Sequence, residues 1–331
     1  MPKVVLGFSG GVDSAVCSVL LKNAGFDVYG IYLDNSSAEA KADAIAAAEF
    51  VGIPLEICDV KAELEEKVCK KFVDSYLRGE TPNPCIICNP SVKFKNILSY
   101  ADKIGAEFIS TGHYAKAENG VLYKGNPEND QSYMLCRITR EQLSRLILPL
   151  GEFPKSHVRA LASKFNLPVA AKPDSMEICF IPDKDYMGYI KSRASAPPPG
   201  DLILNGRVVG THEGIHRFTV GQRYPGLMED KKVYISAIDP SDNSVTLCFW
   251  DELFKNEVKA CDFNYLLDMP DTFDGSIRVR HTKWEEPACK VVKTQSGITA
   301  LCSEPVRAPA KGQSAVIYSG DKVVGGGTIC G

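Results

Sequence analysis

The sequence predicts an α/β protein that begins with a doubly wound parallel sheet and continues into antiparallel β-structure. In the first half, short apolar runs alternate with helical patterns, an arrangement typical of parallel sheets with crossover helices. In the second half, short alternating runs are separated by Gly, Asp and Asn turns, which is typical of antiparallel sheets. No internal repeat or low-complexity tract interrupts either pattern.

The first half contains four predicted strands and five predicted helices. The strands are residues 4–6, 26–33, 55–60 and 108–111. The helices begin at Val12, cover 38–51, run from the third strand to about Arg78, and cover 142–166 and 185–193. Ligands of such sheets bind at the carboxyl ends of the strands. Leu33 and Gly112, which lie at two of these ends, are therefore candidate walls for an adenine, although ordinary strand-end residues would look the same.

Three consecutive prolines, Pro197 to Pro199, separate the two halves. Such a stretch favours an extended, semi-rigid connector, so we predict a domain boundary there. We expect a catalytic domain over 1–195, a small β-rich domain over 196–252 and a β-barrel over 253–331. The predicted strands are residues 202–204, 207–209, 232–238 and 244–248, followed by 276–281, 288–293, 298–302, 314–318 and 323–329.

Bulk composition excludes some classes of protein. The 331 residues are 44% hydrophobic, and no apolar run approaches the roughly 20 residues of a membrane span. The first strand follows the N-terminus directly, so we expect no signal peptide, no membrane partner and a cytoplasmic location. The net charge of −3 lowers the odds of a nucleic-acid partner, but a local basic face would still permit one.

The most informative stretch joins the first strand to the first helix. It comprises Gly7, Phe8, Ser9, Gly10, Gly11, Val12, Asp13 and Ser14. Glycines that allow close approach, followed by a helix N-terminus, make a site for phosphate. Asp13 would repel phosphate, so we expect a divalent cation, Mg²⁺, between them. The stretch lacks the lysine of the GxxxxGK[ST] loop and the spacing of GxGxxG. It resembles the SGGxDS loop of the ATP pyrophosphatases, which cleave ATP to AMP and pyrophosphate.

The chain has twelve cysteines, and we expect them to be reduced thiols, mostly buried, rather than a disulfide framework. Cys85 and Cys88 form a CxxC pair in a predicted loop stiffened by Pro82 and Pro84. A lone CxxC is compatible with a zinc site, with a redox dithiol or with a chance occurrence. A structural zinc site is disfavoured because no second close pair supplies the remaining ligands. Cys179 by itself would be a buried structural thiol.

Taken together, the dispersed motifs resemble those of the tRNA-specific 2-thiouridylases, from about Val4 to Gly327. The matching segments are residues 9–14, 81–89, 91–95, 111–114, 130–133, 174–180, 219–223 and 312–316. The resemblance implies an adenine nucleotide α-hydrolase-like fold for the first domain and a tRNA-binding barrel at the C-terminus.

The resemblance also implies a reaction. The O2 atom of the wobble uridine attacks ATP and is adenylated, and a sulfur nucleophile then displaces AMP to give 2-thiouridine. Family membership implies Cys88 as the nucleophile and Cys179 as the persulfide carrier, with a disulfide between them at turnover. A cysteine desulfurase or sulfur carrier would supply sulfur, and the tRNAs for Gln, Lys and Glu would accept it.

Several tRNA contacts are implied in the same way. Those expected to meet the target base are Asn83, Pro84 and Cys85. Those expected elsewhere on tRNA are His113, Asp130, Gln131, Ser132, Arg280, His281 and Gln313. Judged from the residues alone, His113 would be a strand-end histidine, Gln313 a turn residue and the Arg280 region a solvated β-edge.

Two departures from the family pattern matter. Many members have Asp where this chain has Cys85, so an acid or base role at that position is in doubt. The replacement provides three thiols, Cys85, Cys88 and Cys179, which suit a four-iron–four-sulfur cluster with one open iron. The cluster and the persulfide remain alternatives. The second departure is a shortened stretch after Leu33, where a contact to tRNA or a carrier would be lost.

Two other functions compete with thiolation. Adenylating synthetases and amidotransferases use a similar loop on small molecules, but they need an ammonia source rather than paired thiols. A tRNA-binding or metal-storing protein with a relict ATP site is a non-enzymatic alternative, which the intact loop argues against.

Overall fold

A computed structural model describes every residue except 36, 174–177, 226, 228–230 and 282–285. The chain divides into two compact units. The first contains residues 1–68, 85–180 and 321–323, and the second contains 69–84, 181–320 and 324–331. In the described part of the chain, no helix is both long and apolar enough to cross a bilayer.

The first unit is built on a parallel sheet, as predicted. Its strands, with those of a small hairpin (β5 and β6), are β1 Lys3–Gly7, β2 Asp27–Asp34, β3 Leu55–Asp59, β4 Phe108–Ser110, β5 Lys116–Glu118, β6 Val121–Tyr123 and β7 Leu146–Ile147. The sheet order is β3-β2-β1-β4-β7, and all four pairings are parallel. The carboxyl ends of β1, β2 and β4 therefore form one edge.

Nine α-helices are described along the chain. They are α1 Val12–Asn23, α2 Ala38–Val51, α3 Lys61–Leu64, α4 Lys70–Leu77, α5 Pro84–Cys88, α6 Phe94–Ile104, α7 Arg140–Ser144, α8 Lys155–Lys164 and α9 Tyr186–Lys191. Residues of α1, α2 and α8 bury their apolar side chains in one core with β1 and β2. This packing fixes the N-termini of α1 and α8 relative to the sheet.

Two predicted helices are wrong in detail. The stretch 142–166 is not one helix but α7, the edge strand β7 and α8. Pro149, Gly151 and Pro154 interrupt the helical pattern, because proline lacks an N–H and glycine is a poor helix former. The helix predicted up to about Arg78 is broken by a π-helical turn, Glu65–Cys69, between α3 and α4.

The CxxC pair lies on a helix rather than in the predicted loop. Helix α5 begins at Pro84, a position where proline's missing N–H costs nothing. A π-helical turn, Asn89–Lys93, continues directly into α6. Cys85 and Cys88 are three residues apart on α5, so they share one face.

The second unit contains a five-stranded sheet and a closed barrel. The sheet, in the order β10-β11-β12-β8-β9, is formed by β8 Gly200–Leu204, β9 Arg207–His212, β10 Arg223–Tyr224, β11 Val233–Asp239 and β12 Ser244–Cys248. Leu202, Ile235 and Leu247 lie in its core. The β-rich character predicted for this region is confirmed.

Six antiparallel strands form the C-terminal barrel, which confirms the predicted fold class. They are β13 Phe254–Tyr265, β14 Thr272–Arg278, β15 Ala288–Lys293, β16 Gly297–Arg307, β17 Ser314–Ser319 and β18 Lys322–Ile329. The order is β13-β16-β15-β14-β17-β18, and pairing of β18 with β13 closes the barrel. Strand β14 begins and ends earlier than the strand predicted over 276–281.

One pair of cysteines contradicts the expectation of reduced thiols. Cys261 on β13 and Cys330, just after β18, form a disulfide with Cα atoms 6.0 Å apart. Barrel closure causes this proximity, because Cys261 is paired with Thr328 across the seam. The other ten cysteines are free thiols.

Candidate functional site

The glycine loop has the geometry of a phosphate site. It connects β1 to α1, whose N-cap, Gly11, offers no side-chain cap to the first helical amides. Gly10 has φ +70°, and a Cβ there would lie 2.6 Å from the Ala44 backbone. Only glycine fits this position. The uncapped amides at the positive end of the helix dipole are suited to bind an anion.

Ser9 and Ser14 form hydrogen bonds within the loop. Ser14 is 3% exposed, and its hydroxyl donates to the Gly11 carbonyl at 3.1 Å. The hydroxyls of Ser9 and Ser14 lie 3.3 Å apart. Gly7 is the last residue of β1, and Phe8 and Val12 are buried in the core beside it.

Leu33 and Gly112 lie at the predicted edge of the sheet. Leu33 is the penultimate residue of β2, and Gly112 follows the end of β4 by two residues. A Cβ on Gly112 would approach Asp13 Cβ to 3.0 Å and the Ser14 amide nitrogen to 3.3 Å. Gly112 thus packs directly on the start of α1, and a larger residue would push into the loop.

Asp13 is held by two partners that the sequence did not reveal. Lys155 Nζ lies 2.6 and 2.8 Å from its two carboxylate oxygens. The hydroxyl of Tyr114 donates to Asp13 Oδ1 at 2.6 Å. The helix predicted over 142–166 would place Lys155 in its interior, whereas the preceding Pro154 indicates a helix start.

The three thiols all belong to the first unit. Cys85 and Cys179 are exposed, and Cys88 is half-buried. Burial raises the pKa of Cys88 to about 11, the positive charge of Lys93 opposes this, and nearby Cys179 and Cys85 raise it further. The surroundings of Cys85 still remove enough water to raise its pKa, despite its exposure. At neutral pH, Cys88 is therefore mostly the neutral thiol.

Those thiols fit an iron–sulfur cluster by donor type but not by placement. Within the described residues, no group of three or more His, Cys, Asp or Glu side chains is placed to hold a metal ion. Asp13 would supply one carboxylate to a Mg²⁺ ion, and the phosphates of a bound nucleotide would have to supply further ligands. We therefore derive no chemical step through either group.

His113 is fixed inside the first unit. Its Nδ1 atom lies 2.7 Å from the Thr111 hydroxyl, and its ring stacks on Phe94 with centroids 6.0 Å apart. Burial, together with the charge of Lys93, holds the pKa of His113 well below its usual range. The ring is therefore neutral at physiological pH and suited to hydrogen bonding or stacking rather than to pairing with phosphate.

The segment of Asp130, Gln131 and Ser132 makes contacts within its own unit. Asp130 accepts hydrogen bonds from the Ser132 amide and hydroxyl at 3.0 and 2.9 Å, and Ser132 is fully buried. The Tyr114 amide donates to Gln131 Oε1 at 2.9 Å. Ser132 itself has no surface to offer a tRNA, whereas Asp130 and Gln131 are half-buried.

In the second unit, Gln313 and Arg280 support backbone segments. Gln313 Nε2 donates to the Thr81 carbonyl at 2.9 Å, just before the Pro82–Asn83–Pro84 sequence. The Arg280 guanidinium donates to the carbonyls of Val220 and Ala308. His281 is exposed, Asn83 half-buried and Pro84 buried. The stretch 174–177 and the residues that follow His281, 282–285, lie outside the described residues.

Comparisons with known proteins cover nearly the whole chain. Three family models match in order: a tRNA methyl transferase HUP domain over 2–183, a tRNA methyl transferase PRC-barrel domain over 188–249 and an aminomethyltransferase β-barrel domain over 255–329. The U34-tRNA thiolase NcsA from Methanococcus maripaludis, solved with its [4Fe-4S] cluster, aligns over 58% of this chain and 68% of its own at 18% identity and a TM-score of 0.37. That likeness is too loose to support an argument.

Curated relatives agree with one another. The tRNA-specific 2-thiouridylase MnmA of Carboxydothermus hydrogenoformans is 37% identical over 99% of this chain and 97% of its own. MnmA 1 of Caldanaerobacter subterraneus is 39% identical over the same shares, and MnmA of Fervidobacterium nodosum is 34% identical over 99% of both. With identity at this level across nearly the full length, the chain belongs to the tRNA-specific 2-thiouridylase family.

Proposed function

We propose that this protein is an ATP-dependent tRNA-uridine 2-sulfurtransferase that converts the wobble uridine of tRNA into 2-thiouridine. The observation that carries the proposal is that one compact unit holds both an uncapped glycine loop at a helix N-terminus and three thiols, with Cys179 near enough to raise the pKa of both Cys85 and Cys88. The loop supplies an activating phosphate site and the thiols supply sulfur. An adenylating synthetase that acts on a small molecule does not require these thiols.

The first step activates the uridine. Its O2 atom attacks the α-phosphorus of ATP, the O2–P bond forms, and the bond to the bridging oxygen breaks with its electron pair leaving on pyrophosphate. The amides at the start of α1 would bind the phosphates. Leu33 and Gly112 would flank the adenine. Mg²⁺, when bound, would neutralise phosphate charge, with Asp13 as the candidate ligand.

The second step replaces oxygen by sulfur. We propose that the terminal sulfur of a Cys179 persulfide attacks C2 and displaces AMP. A thiolate at Cys88 then attacks the Cys179 sulfur, forming a Cys88–Cys179 disulfide and releasing 2-thiouridine. An external thiol or dithiol reductant restores both thiols. Exposure of Cys179 supports its loading from a desulfurase or sulfur carrier.

Cys85 adds a third thiol to Cys88 and Cys179 in the first unit. If a cluster holds the sulfur instead of Cys179, then Cys85, Cys88 and Cys179 would be its ligands. Anaerobic purification with iron, sulfide and absorbance measurements separates the two routes. A colourless, iron-free protein that thiolates tRNA from a persulfide donor would exclude the cluster.

The substrate is proposed to be tRNA for Gln, Lys and Glu, in the cytoplasm. A base in a folded anticodon must leave its stack to reach a protein pocket. Asn83, Pro84 and Cys85 are the candidate contacts to that base. The candidate contacts to the rest of the tRNA are His113, Asp130, Gln131, Arg280 and His281. Ser132 is fully buried, and the side-chain amide of Gln313 already donates to the Thr81 carbonyl, so we assign these two residues to positioning rather than to direct contact.

Mass spectrometry of nucleosides tests the proposal. Unmodified tRNA is incubated with ATP and a persulfide donor, using wild type and the Cys85→Ala, Cys88→Ala and Cys179→Ala variants. We expect 2-thiouridine from wild type and none from the Cys88 and Cys179 variants. Full activity of Cys85→Ala would remove this thiol from the mechanism.

A further inference from the structure

The ion pair between Lys155 and Asp13 has no assigned role. It lies at the first turn of α1, where the loop amides face the phosphate site. The ammonium contacts both oxygens of Asp13 and lies 5.5 Å above the centre of the Tyr114 ring. The Lys155 and Asp13 side chains are 25% and 32% exposed. The pair is thus partly open to a ligand.

The position of Lys155 is electrostatically unfavourable for the helix that carries it. Lys155 is the first residue of α8, and its N-cap, Pro154, makes no side-chain cap. A positive charge is destabilising at a helix N-terminus, because that end carries the positive pole of the dipole. Asp13, in contrast, is favourably placed in the first turn of α1. The ion pair with Asp13 therefore compensates for the unfavourable position of the Lys155 charge at the start of α8.

The glycine loop needs a cation that its own sequence lacks. No lysine follows Gly11, and Asp13 would repel a phosphate bound at the amides. Lysine is a flexible point charge on a four-carbon stem, able to shift between neighbouring anions. Lys155 is already at the loop, within 2.8 Å of both carboxylate oxygens.

We propose that Lys155 binds the β- and γ-phosphates of ATP and stabilises the charge that develops on the departing pyrophosphate. When the bond from the α-phosphorus to the bridging oxygen breaks, the electron pair leaves on that oxygen, and the Lys155 ammonium faces it. Tyr114 acts as a positioning residue, since its hydroxyl keeps a hydrogen bond to Asp13 while Lys155 turns to the phosphates. This inference rests on the proposed adenylation.

The test compares two lysines of the same helix. Lys155→Met removes the proposed phosphate contact, and Lys164→Met removes an exposed lysine in the last turn of α8. The readouts are calorimetric binding of inorganic pyrophosphate and of adenosine, and tRNA-dependent pyrophosphate release. Thermal melting checks that each variant folds.

For Lys155→Met we expect pyrophosphate release to fall about 100-fold, the usual cost of losing one transition-state contact. Pyrophosphate binding should weaken while adenosine binding stays unchanged, and Lys155→Arg should restore part of both losses. Lys164→Met should match wild type. Tyr114→Phe should lower the rate less than Lys155→Met does.

Two results overturn the inference: pyrophosphate binding by Lys155→Met equal to wild type, or equal losses in adenosine and pyrophosphate binding. Failure of the proposed function is separate. If wild type makes no 2-thiouridine yet binds pyrophosphate in a Lys155-dependent way, thiolation is wrong and the phosphate contact stands.

Discussion

The glycine loop and the three thiols, Cys85, Cys88 and Cys179, lie in the same unit, yet they depend on different kinds of structure. The loop acts through backbone amides whose positions are set by β1, Gly10 and the start of α1. The thiols act through side chains whose reactivity depends on burial and on Lys93. The first kind of site is determined by a local sequence motif, whereas the second depends on neighbours that are distant in sequence. If this contrast is correct, the loop should respond to added bulk and the thiols to changes in nearby charge.

The loop should tolerate no side chain at Gly10. Gly10→Ala would place a Cβ 2.6 Å from the Ala44 backbone at a positive φ, so either the loop or α2 must move. We expect ATP binding, measured by calorimetry, to weaken at least about 100-fold.

Gly25 provides the matched control, because its φ is +88° but no atom lies within 4 Å of a Cβ placed there. Gly25→Ala should cost about 1 kcal/mol of stability and leave ATP binding unchanged. Equal ATP binding by Gly10→Ala and wild type would show that the close packing at the loop is unimportant.

Cys88 should respond to its electrostatic surroundings rather than to backbone geometry. With a pKa of about 11, its thiolate fraction should rise about tenfold per pH unit through pH 9. Alkylation by iodoacetamide, followed by peptide mass spectrometry, should show this rise. Lys93→Met should slow alkylation several-fold at pH 8, since the opposing positive charge is lost.

Lys103→Met is the control, because Lys103 is an exposed residue of α6 paired with Glu56. It should not change the alkylation rate of Cys88. An alkylation rate that levels off below pH 9 would mean that Cys88 is less buried than described.

These two sites also show how far sequence alone can reach. The parallel sheet, the Gly10 turn and the edge shared by Leu33 and Gly112 follow from local patterns, and the structure has them. Lys155 could not be found this way, because its pairing with Asp13 requires α8 to pack against α1.

The C-terminal barrel could be predicted as a class but not in its contacts. Alternating runs identified most of its strands, while β14 was misplaced by a few residues. The Cys261–Cys330 bond follows from closing β18 onto β13, which is a long-range pairing. The support that Arg280 and Gln313 give to backbone carbonyls likewise depends on segments far apart in the chain.

Gln313 should have a smaller effect than either site in the first unit. Gln313→Ala removes one hydrogen bond to the Thr81 carbonyl, worth about 1 kcal/mol. We expect thiolation to slow about fivefold if this free energy is fully expressed in the rate, with tRNA affinity nearly unchanged.

Gln313→Glu keeps the size of the side chain but removes the N–H donor, so it should slow thiolation at least as much as Gln313→Ala does. A loss of tRNA affinity in both variants without a change in the maximal rate would instead identify Gln313 as a direct tRNA contact.

The smallest effect concerns the pH dependence of stability in the second unit. His216 is 1% exposed, and burial, Lys191 and His212 lower its pKa. The unfolded chain therefore binds more protons below about pH 6.5. Stability should fall as the pH drops below that value, and His216→Phe should flatten the curve in denaturant titrations. An unchanged curve would mean that other groups control it.

The most direct test of thiolation is a single-turnover reaction that counts products. Wild type, loaded with a labelled persulfide sulfur, is mixed with ATP and unmodified tRNA. AMP, pyrophosphate and labelled 2-thiouridine are then measured together. We predict equal amounts of the three products from wild type, and none of the labelled nucleoside from Cys88→Ala. AMP and pyrophosphate formed without labelled 2-thiouridine in wild type would contradict the account.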